Sequence, residues 1–135
     1  MSTSHEQLGR SIKRVQYRDH RALDAALRTA GISLVQWDAL RAIDQDPGAS
    51  SHDLAAATFQ SDQAFGTLAG RLVAAGWIER RPAAGRRLEH HLTDEGRSKL
   101  AEGRALTSEL WPRLFERLDE SERSTLDALL HKLLL

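Results

Sequence analysis

The sequence predicts a mainly α-helical fold carrying one small β-hairpin. Three observations support this. Apolar residues recur at helical spacing in segments bounded by capping residues. Two short helical patterns, SSHDLAAAT and SDQAFGTLAGRLVAAG, follow each other across a brief polar turn. A strand, WIERR, a tight polar loop, PAAGR, and a second strand, RLEHHL, come directly after them. Helix, turn, helix and hairpin in this order, between Ser50 and Thr93, is the pattern of a winged helix-turn-helix, a unit that grips duplex DNA.

The elements follow in order. From His5 to Ala30, the residues Leu8, Ile12, Val15, Leu23 and Leu27 fall on one helical face opposite an arginine-rich one. Gly31 ends that helix. Ser33 with Gln36 forms a capping box for the next, whose buried face is Leu34, Trp37, Leu40 and Ile43. Asp46-Pro47-Gly48 stops it. Ser50 with Asp53 caps a short helix through Ala57, a turn spans Thr58 to Gln60, and Ser61 caps the following helix. Phe65, Leu68, Ala69 and Leu72 form its apolar stripe, and Gly76 ends it.

Trp77-Ile78 and Leu88 to Leu92 are short β-runs, with Pro82 and Gly85 marking the loop. Thr93 caps a long helix that Pro112 is expected to interrupt and kink. Asp119 with Glu122 opens a last helix striped by Leu126, Leu129, Leu130, Leu133 and Leu134. Residues 1–30 and 94–135 thus form a flanking helical dimerisation region, and 31–93 the winged helix-turn-helix, in one compact unit of 135 residues.

Composition limits the function classes. Aromatic residues make up only 5%, so the core is expected from Leu and Ala. There is no cysteine, which removes disulfides, thiolate metal sites and thiol redox sensing together. No apolar run is long enough to span a bilayer, and the N-terminus lacks the apolar core of a signal peptide, so a cytoplasmic protein without a membrane partner is expected. Net charge is zero, but the charge is unevenly placed. Residues 31–70 carry one basic and five acidic groups, whereas residues 71–99 carry seven basic and four acidic ones. Phosphate contacts are therefore expected from the hairpin and from helix N-termini.

The candidate residues follow from that placement. The exposed face of the Ser61–Ala75 helix is small and polar, which lets its backbone approach the floor of a major groove. Gln63 can bond adenine N6 and N7, and Thr67 can meet a thymine methyl or a base edge. An ordinary amphipathic helix would show the same stripe, and Asp62 is a liability beside DNA. Arg80, Arg81, Arg86 and Arg87 flank a loop of minimal bulk that fits a minor groove, although charge runs usually face water. His52 and His91 are candidates for phosphate contact. His90 and His91 are adjacent on a strand, point to opposite faces and cannot chelate one ion together, and no metal or other cofactor is expected. Tyr17, His20, Trp37 and Arg41 are candidates for lining a small-molecule cavity where the first two helices meet the DNA-binding lobe, with plain packing as the default. No phosphate loop or nucleophile elbow is present, so no enzyme is expected.

LVQWDALRAI, RLVAAGWIERR, the arginine-tipped wing and LTDEGR, in this spacing, resemble the MarR family of transcriptional regulators. The resemblance runs from about Ile32 through Leu134. It implies a homodimer with interleaved first, fifth and sixth helices, a pseudo-palindromic operator in double-stranded DNA, and often release by a small organic effector. The implied DNA contacts fall on Ser61, Gln63, Gly66, Thr67 and Arg71, with Arg86 in the wing, and Ser50, Ser51, His52 and Arg87 are further candidates beside them. Two departures stand out. Gly85 occupies the position where the family's wing usually has an aspartate able to pair with an arginine such as Arg71, so a loose wing is expected. Gly66 and Thr67 replace the hydroxyl and basic residues often found there. The rival class is a winged-helix dimer that has lost DNA affinity and binds a protein partner, which zero net charge favours.

Overall fold

Each helix begins at a side chain that caps it, and these caps divide the chain. A computed structural model describes residues 2–85 and 87–135. Helices α1 (His5–Arg28), α2 (Leu34–Gln45), α3 (Ser51–Ala57) and α4 (Asp62–Ala74) precede strands β1 (Ile78–Pro82) and β2 (Leu88–Leu92); α5 (Asp94–Leu114) and α6 (Glu120–Leu134) follow. The mainly α fold with one hairpin matches the expectation. The Ser33 hydroxyl accepts from the Gln36 N–H at 3.1 Å while the Gln36 carbonyl accepts from the Ser33 N–H at 2.9 Å, a complete capping box. Ser4 and Asp119 build the same box for α1 and α6.

The hairpin is antiparallel, with Ile78 opposite Leu92 and Pro82 opposite Leu88. It starts one residue later than the sequence pattern indicates, because Trp77 N–H is still bonded to Leu72 C=O at the end of α4. The α2–α3 loop joins the sheet edge: Gly48 N–H donates to His90 C=O at 2.9 Å, and His90 N–H donates to Ala49 C=O at 3.2 Å. Thr93 locks the exit from the hairpin. Its hydroxyl donates to Gly76 C=O at 2.6 Å and accepts from Gly96 N–H at 3.1 Å, so one side chain ties the end of α4 to the start of α5.

The core gathers Leu27, Ile32, Leu40, Ile43, Leu54 and Leu72 around Trp37 and Phe65. A core of Leu and Ala alone is therefore corrected. Isoleucines and two buried aromatics fill volume that Ala cannot, because close packing leaves no void between helices of this size. Helix α5 lies across α1 and α2, and two of its glycines allow close approach, Gly96 to the chain entering the hairpin and Gly103 to α2. A Cβ on Gly96 would stand 1.9 Å from Trp77 C=O, and one on Gly103 would stand 2.2 Å from Trp37 Nε1.

Pro112 does not interrupt α5. The helix continues through it to Leu114 and stops there, so the proline marks the last turn. Helix α6 has no buried residue, and Leu8, Ile12 and Val15 of α1 are also exposed. Of the stripe predicted for α1, Leu23 and Leu27 are buried in the core, while its first half and the α6 stripe stay largely exposed among the described residues.

Gly103→Ala should destabilise the fold by about 1–3 kcal/mol, the usual cost of overpacking. The indole must leave the α5 backbone, so a lowered urea midpoint should come with a shift in tryptophan emission. Unchanged stability and emission would show that α5 does not rest on Trp37.

Candidate nucleic-acid interface

Helices α3 and α4 pack through Leu54 and Ala55 against Phe65 and Ala69, all fully buried. That contact turns the opposite side of α4 outward. Gln63, Thr67 and Arg71 are exposed on it, and a Cβ added at Gly66 or Gly70 would meet nothing within 4 Å. The face is thus open down to its backbone. The Thr67 hydroxyl donates to Gln63 C=O within the helix at 3.1 Å, leaving its methyl and lone pairs outward. Ser61 accepts from Ala64 N–H and Ser50 from Asp53 N–H, so both serines are spent as caps but keep a hydroxyl proton. Ser51 turns inward instead, half-buried, with Oγ 3.4 Å from His90 Nε2.

His52 is exposed and paired. Its Nδ1 stands 3.1 Å from both carboxylate oxygens of Asp62, across the α3–α4 turn. This bond, reinforced by the Asp62 charge, holds the imidazole above its ordinary value of 6.5. When protonated, the ring offsets the carboxylate that the sequence marks as a liability beside DNA. Arg87, at the loop end of the hairpin just before β2, stands 3.9 Å from Asp53 of α3.

The hairpin is attached to α4 by a residue not singled out for that role. Arg80 Nη2 donates to Gly66 C=O at 3.2 Å, while its Nε is buried without a partner among the described residues. Arg71 does not face the hairpin in this way; it is exposed in the last turn of α4 and makes no side-chain hydrogen bond among the described residues. Gly85 turns the hairpin loop at φ 76°, a left-handed conformation that suits glycine. The wing arginine, Arg86, lies outside the described residues, and so does the expectation of its contact.

His90 is the buried counterpart of these groups. Its Nδ1 lies 2.9 Å from Ala49 C=O and therefore carries the proton, and the Phe65 ring meets it edge-on at 6.1 Å. Burial pushes its pKa below 6.5; the bond to Ala49 opposes this, and the charge of Arg80 adds to the lowering. His91 points to the other side of the sheet, 3.2 Å from Glu89, as strand geometry requires. Among the described residues no three His, Asp or Glu side chains gather as a metal site.

A groove runs between this lobe and the long helices. Its larger part, about 600 Å³, is walled by Ile12, His20, Trp111, Phe115 and Leu126, with Asp38 and Phe59 on the far side. A continuation of about 380 Å³ adds Trp37 and Arg41. The Arg41 guanidinium stands 4.7 Å over the Trp37 ring, and Arg41 also reaches Asp38 at 3.4 Å. Burial raises the Asp38 pKa, with Arg41 and His20 opposing. The structure brings His20, Trp37 and Arg41 to this groove but not Tyr17, which is 60% exposed and carries the Arg21 guanidinium over its ring. Tyr17 lies three positions before His20, on a different part of the helical wheel from Ile12 and Val15. Phe59 was missed. It is 98% exposed, and at φ 58° it is the one non-glycine residue with positive φ among those described. That conformation costs an ordinary side chain about 1–2 kcal/mol.

Residues 30–87 match the MarR family. The HTH-type transcriptional repressor Rv2887 of Mycobacterium tuberculosis is 32% identical over 114 residues, covering 82% of this chain and 81% of that protein. A crystal structure of a MarR mutant from E. coli complexed with operator DNA superposes with a TM-score of 0.89 at 27% identity, covering 95% of this chain and 94% of that one. The crystal structure of Rv2887 in complex with salicylic acid gives a TM-score of 0.76 at 30% identity, over 98% and 97% of the two chains.

The two histidines have opposite linkage. The His52–Asp62 pair stabilises fully below about pH 6.5 and is lost as pH rises through the raised value. His90 does the reverse. The unfolded chain protonates it first, so its contribution is full above 6.5 and falls as pH drops toward the lowered value. His90→Leu should cost roughly 1–2 kcal/mol at pH 7.5. The gap to wild type should narrow at pH 5.5 in urea unfolding. A gap independent of pH would show that His90 has the same proton affinity folded and unfolded.

Proposed function

This chain belongs to the MarR family, and on that premise we propose a transcriptional repressor that binds a pseudo-palindromic DNA site as a homodimer and is released by a small organic anion. The observation carrying this reading is the α4 face. Gly66 and Gly70 leave it open to the backbone, Gln63 and Thr67 project from it, and helix caps occupy its N-terminus. Such a helix can lie on the floor of a major groove and read base edges. Ser50, Ser61 and Arg87 border it and supply phosphate contacts, with Arg86 added by the resemblance.

The dimer follows from apolar area. Leu129 and Leu133 of α6 are 54% and 67% exposed, and α6 buries nothing within its own chain. Each leucine buried is worth about 1.5–3 kcal/mol, so a second copy covering α6 and the first half of α1 recovers that free energy. Residues 1–30 and 94–135 then act as the dimer base and 31–93 as the reading lobe. Two-fold symmetry places two α4 helices one DNA turn apart or a multiple of it.

The groove supports control by a ligand. The part beside Trp37, about 380 Å³, is free of the α1 and α6 stripe residues that a second copy covers, and there Arg41 supplies a cation beside aromatic and aliphatic walls. Rv2887, a relative, has been crystallised with salicylic acid. An aromatic carboxylate fits this chain's groove by the same chemistry. It acts by binding the DNA-competent and incompetent arrangements unequally. No helix among the described residues is long and apolar enough to cross a membrane.

Selecting duplexes from a random library and measuring affinity by fluorescence anisotropy tests the reading. The selected site should be two-fold, and Gln63→Ala should lose about 1–3 kcal/mol on it while relaxing one base position. Equal losses on every duplex would deny Gln63 a base contact. Binding with no sequence preference would overturn the repressor reading in favour of the protein-interaction class.

A further inference from the structure

A carboxylate at the head of a DNA-reading helix is electrostatically misplaced, and Asp62 is one. Its side chain is 67% exposed, so packing does not account for it. Two neighbours change what it can do. His52, on α3, places Nδ1 3.1 Å from each of the two carboxylate oxygens. One N–H thus holds the carboxylate in place while lone pairs on both oxygens stay free to accept more. Gly66 comes four residues later, on the same side of α4, and a Cβ there would meet nothing within 4 Å. The space along the helix beside the carboxylate is therefore open to a base edge.

The charges around the pair balance. His52 faces Asp62 across the turn and Asp53 on its own helix, and Arg87 stands 3.9 Å from Asp53. With the ring protonated, two cations meet two carboxylates. A carboxylate so neutralised approaches a phosphate backbone without the repulsion that it would meet alone. Because Nδ1 donates to Asp62, Nε2 carries a proton only when the ring is charged. It then offers a second donor on a side chain that is 79% exposed.

We propose that Asp62 reads cytosine, accepting a hydrogen bond from its N4 amino group, while the charged His52 ring bridges from the carboxylate to the adjoining phosphate. The inference rests on α4 being the reading helix. A carboxylate has only acceptors, and in the major groove cytosine presents a donor with no acceptor beside it. Adenine sets N7, an acceptor, next to its amino group, and guanine and thymine present acceptors only. His52 is the positioning residue. The bond to Asp62 holds its proton above the ordinary imidazole value, and the preference for cytosine weakens as pH rises through that raised value and the ring loses its charge.

The test uses the full-length protein and the two-fold duplex selected for it. Each base pair of the half-site is replaced in turn by the other three, and anisotropy gives the affinities at about pH 6 and about pH 8. Wild type should prefer cytosine at one position by about fivefold or more at the lower pH, and by less at the higher. Asp62→Asn should move that preference to adenine, because an amide pairs with N6 and N7 together, and Asp62→Ala should abolish it. His52→Gln should leave a weakened preference that no longer changes with pH. All three variants should keep the wild-type Tm, since the pair is exposed. A base profile for Asp62→Asn identical to wild type at every position would overturn the inference. So would a cytosine preference that His52→Gln leaves untouched, or a fall in Tm with an unchanged base profile, which would make the pair a structural tie. Failure to select any two-fold site would overturn the reading of α4 itself, and this inference with it.

Discussion

The contact between Trp37 and Gly103 organises the rest of the molecule. The indole lies against α5 where a single methyl would stand 2.2 Å from its nitrogen, and that nitrogen donates to Leu100 C=O at 3.2 Å. One side chain therefore fixes α2 on α5. Helix α2 carries Asp38 and Arg41 into the groove, and Arg41 stacks over the same indole. From the end of α2 the chain passes to Gly48 and Ala49, which pair with His90 on β2. The groove wall and the mounting of the hairpin thus depend on the same tryptophan.

A second set of contacts works at the reading end. Arg80 holds the carbonyl of Gly66, and His90 holds Ala49 while touching Phe65 on the buried side of α4. The hairpin is thereby joined to α4 and to the loop before α3 by buried or half-buried polar groups. Unpaired groups in such places are costly, so the geometry they impose is well defined. The outer groups are different. His52 with Asp62 and Arg87 with Asp53 are exposed pairs, screened by solvent and free to exchange partners with phosphate. Stiff attachment behind the reading face and exchangeable charges on it suit a surface that must keep its shape while meeting a polyanion.

Much of this was legible in the sequence. Capping residues at Ser33, Ser50, Ser61, Thr93 and Asp119 located every helix start after the first, because a cap is a local interaction written in adjacent residues. The buried stripes of α2 and α4 followed from periodicity for the same reason. What was not legible depends on contacts distant in sequence. Arg80 reads as one of four solvated wing arginines until the fold places Gly66 beside it. His90 reads as half of an improbable metal pair until burial makes it a core donor. Tyr17 and His20 lie on neighbouring positions of the helix, but Tyr17 falls just past the groove-facing side that Ile12 and Val15 share. Phe59 carried one usable signal, an aromatic residue in the turn position where glycine is the easy choice, but its place in the groove needed α1, α5 and α6 around it.

The central claim is that two copies of one lobe, set by a shared base, read DNA symmetrically. A hydroxyl-radical footprint of the full-length protein on its selected duplex tests it most directly. The account predicts two equal protected patches on one face of the duplex, related by the dyad of the site, with centres about one helical turn apart or a multiple of it. A single patch, or protection that does not follow the dyad, would contradict it.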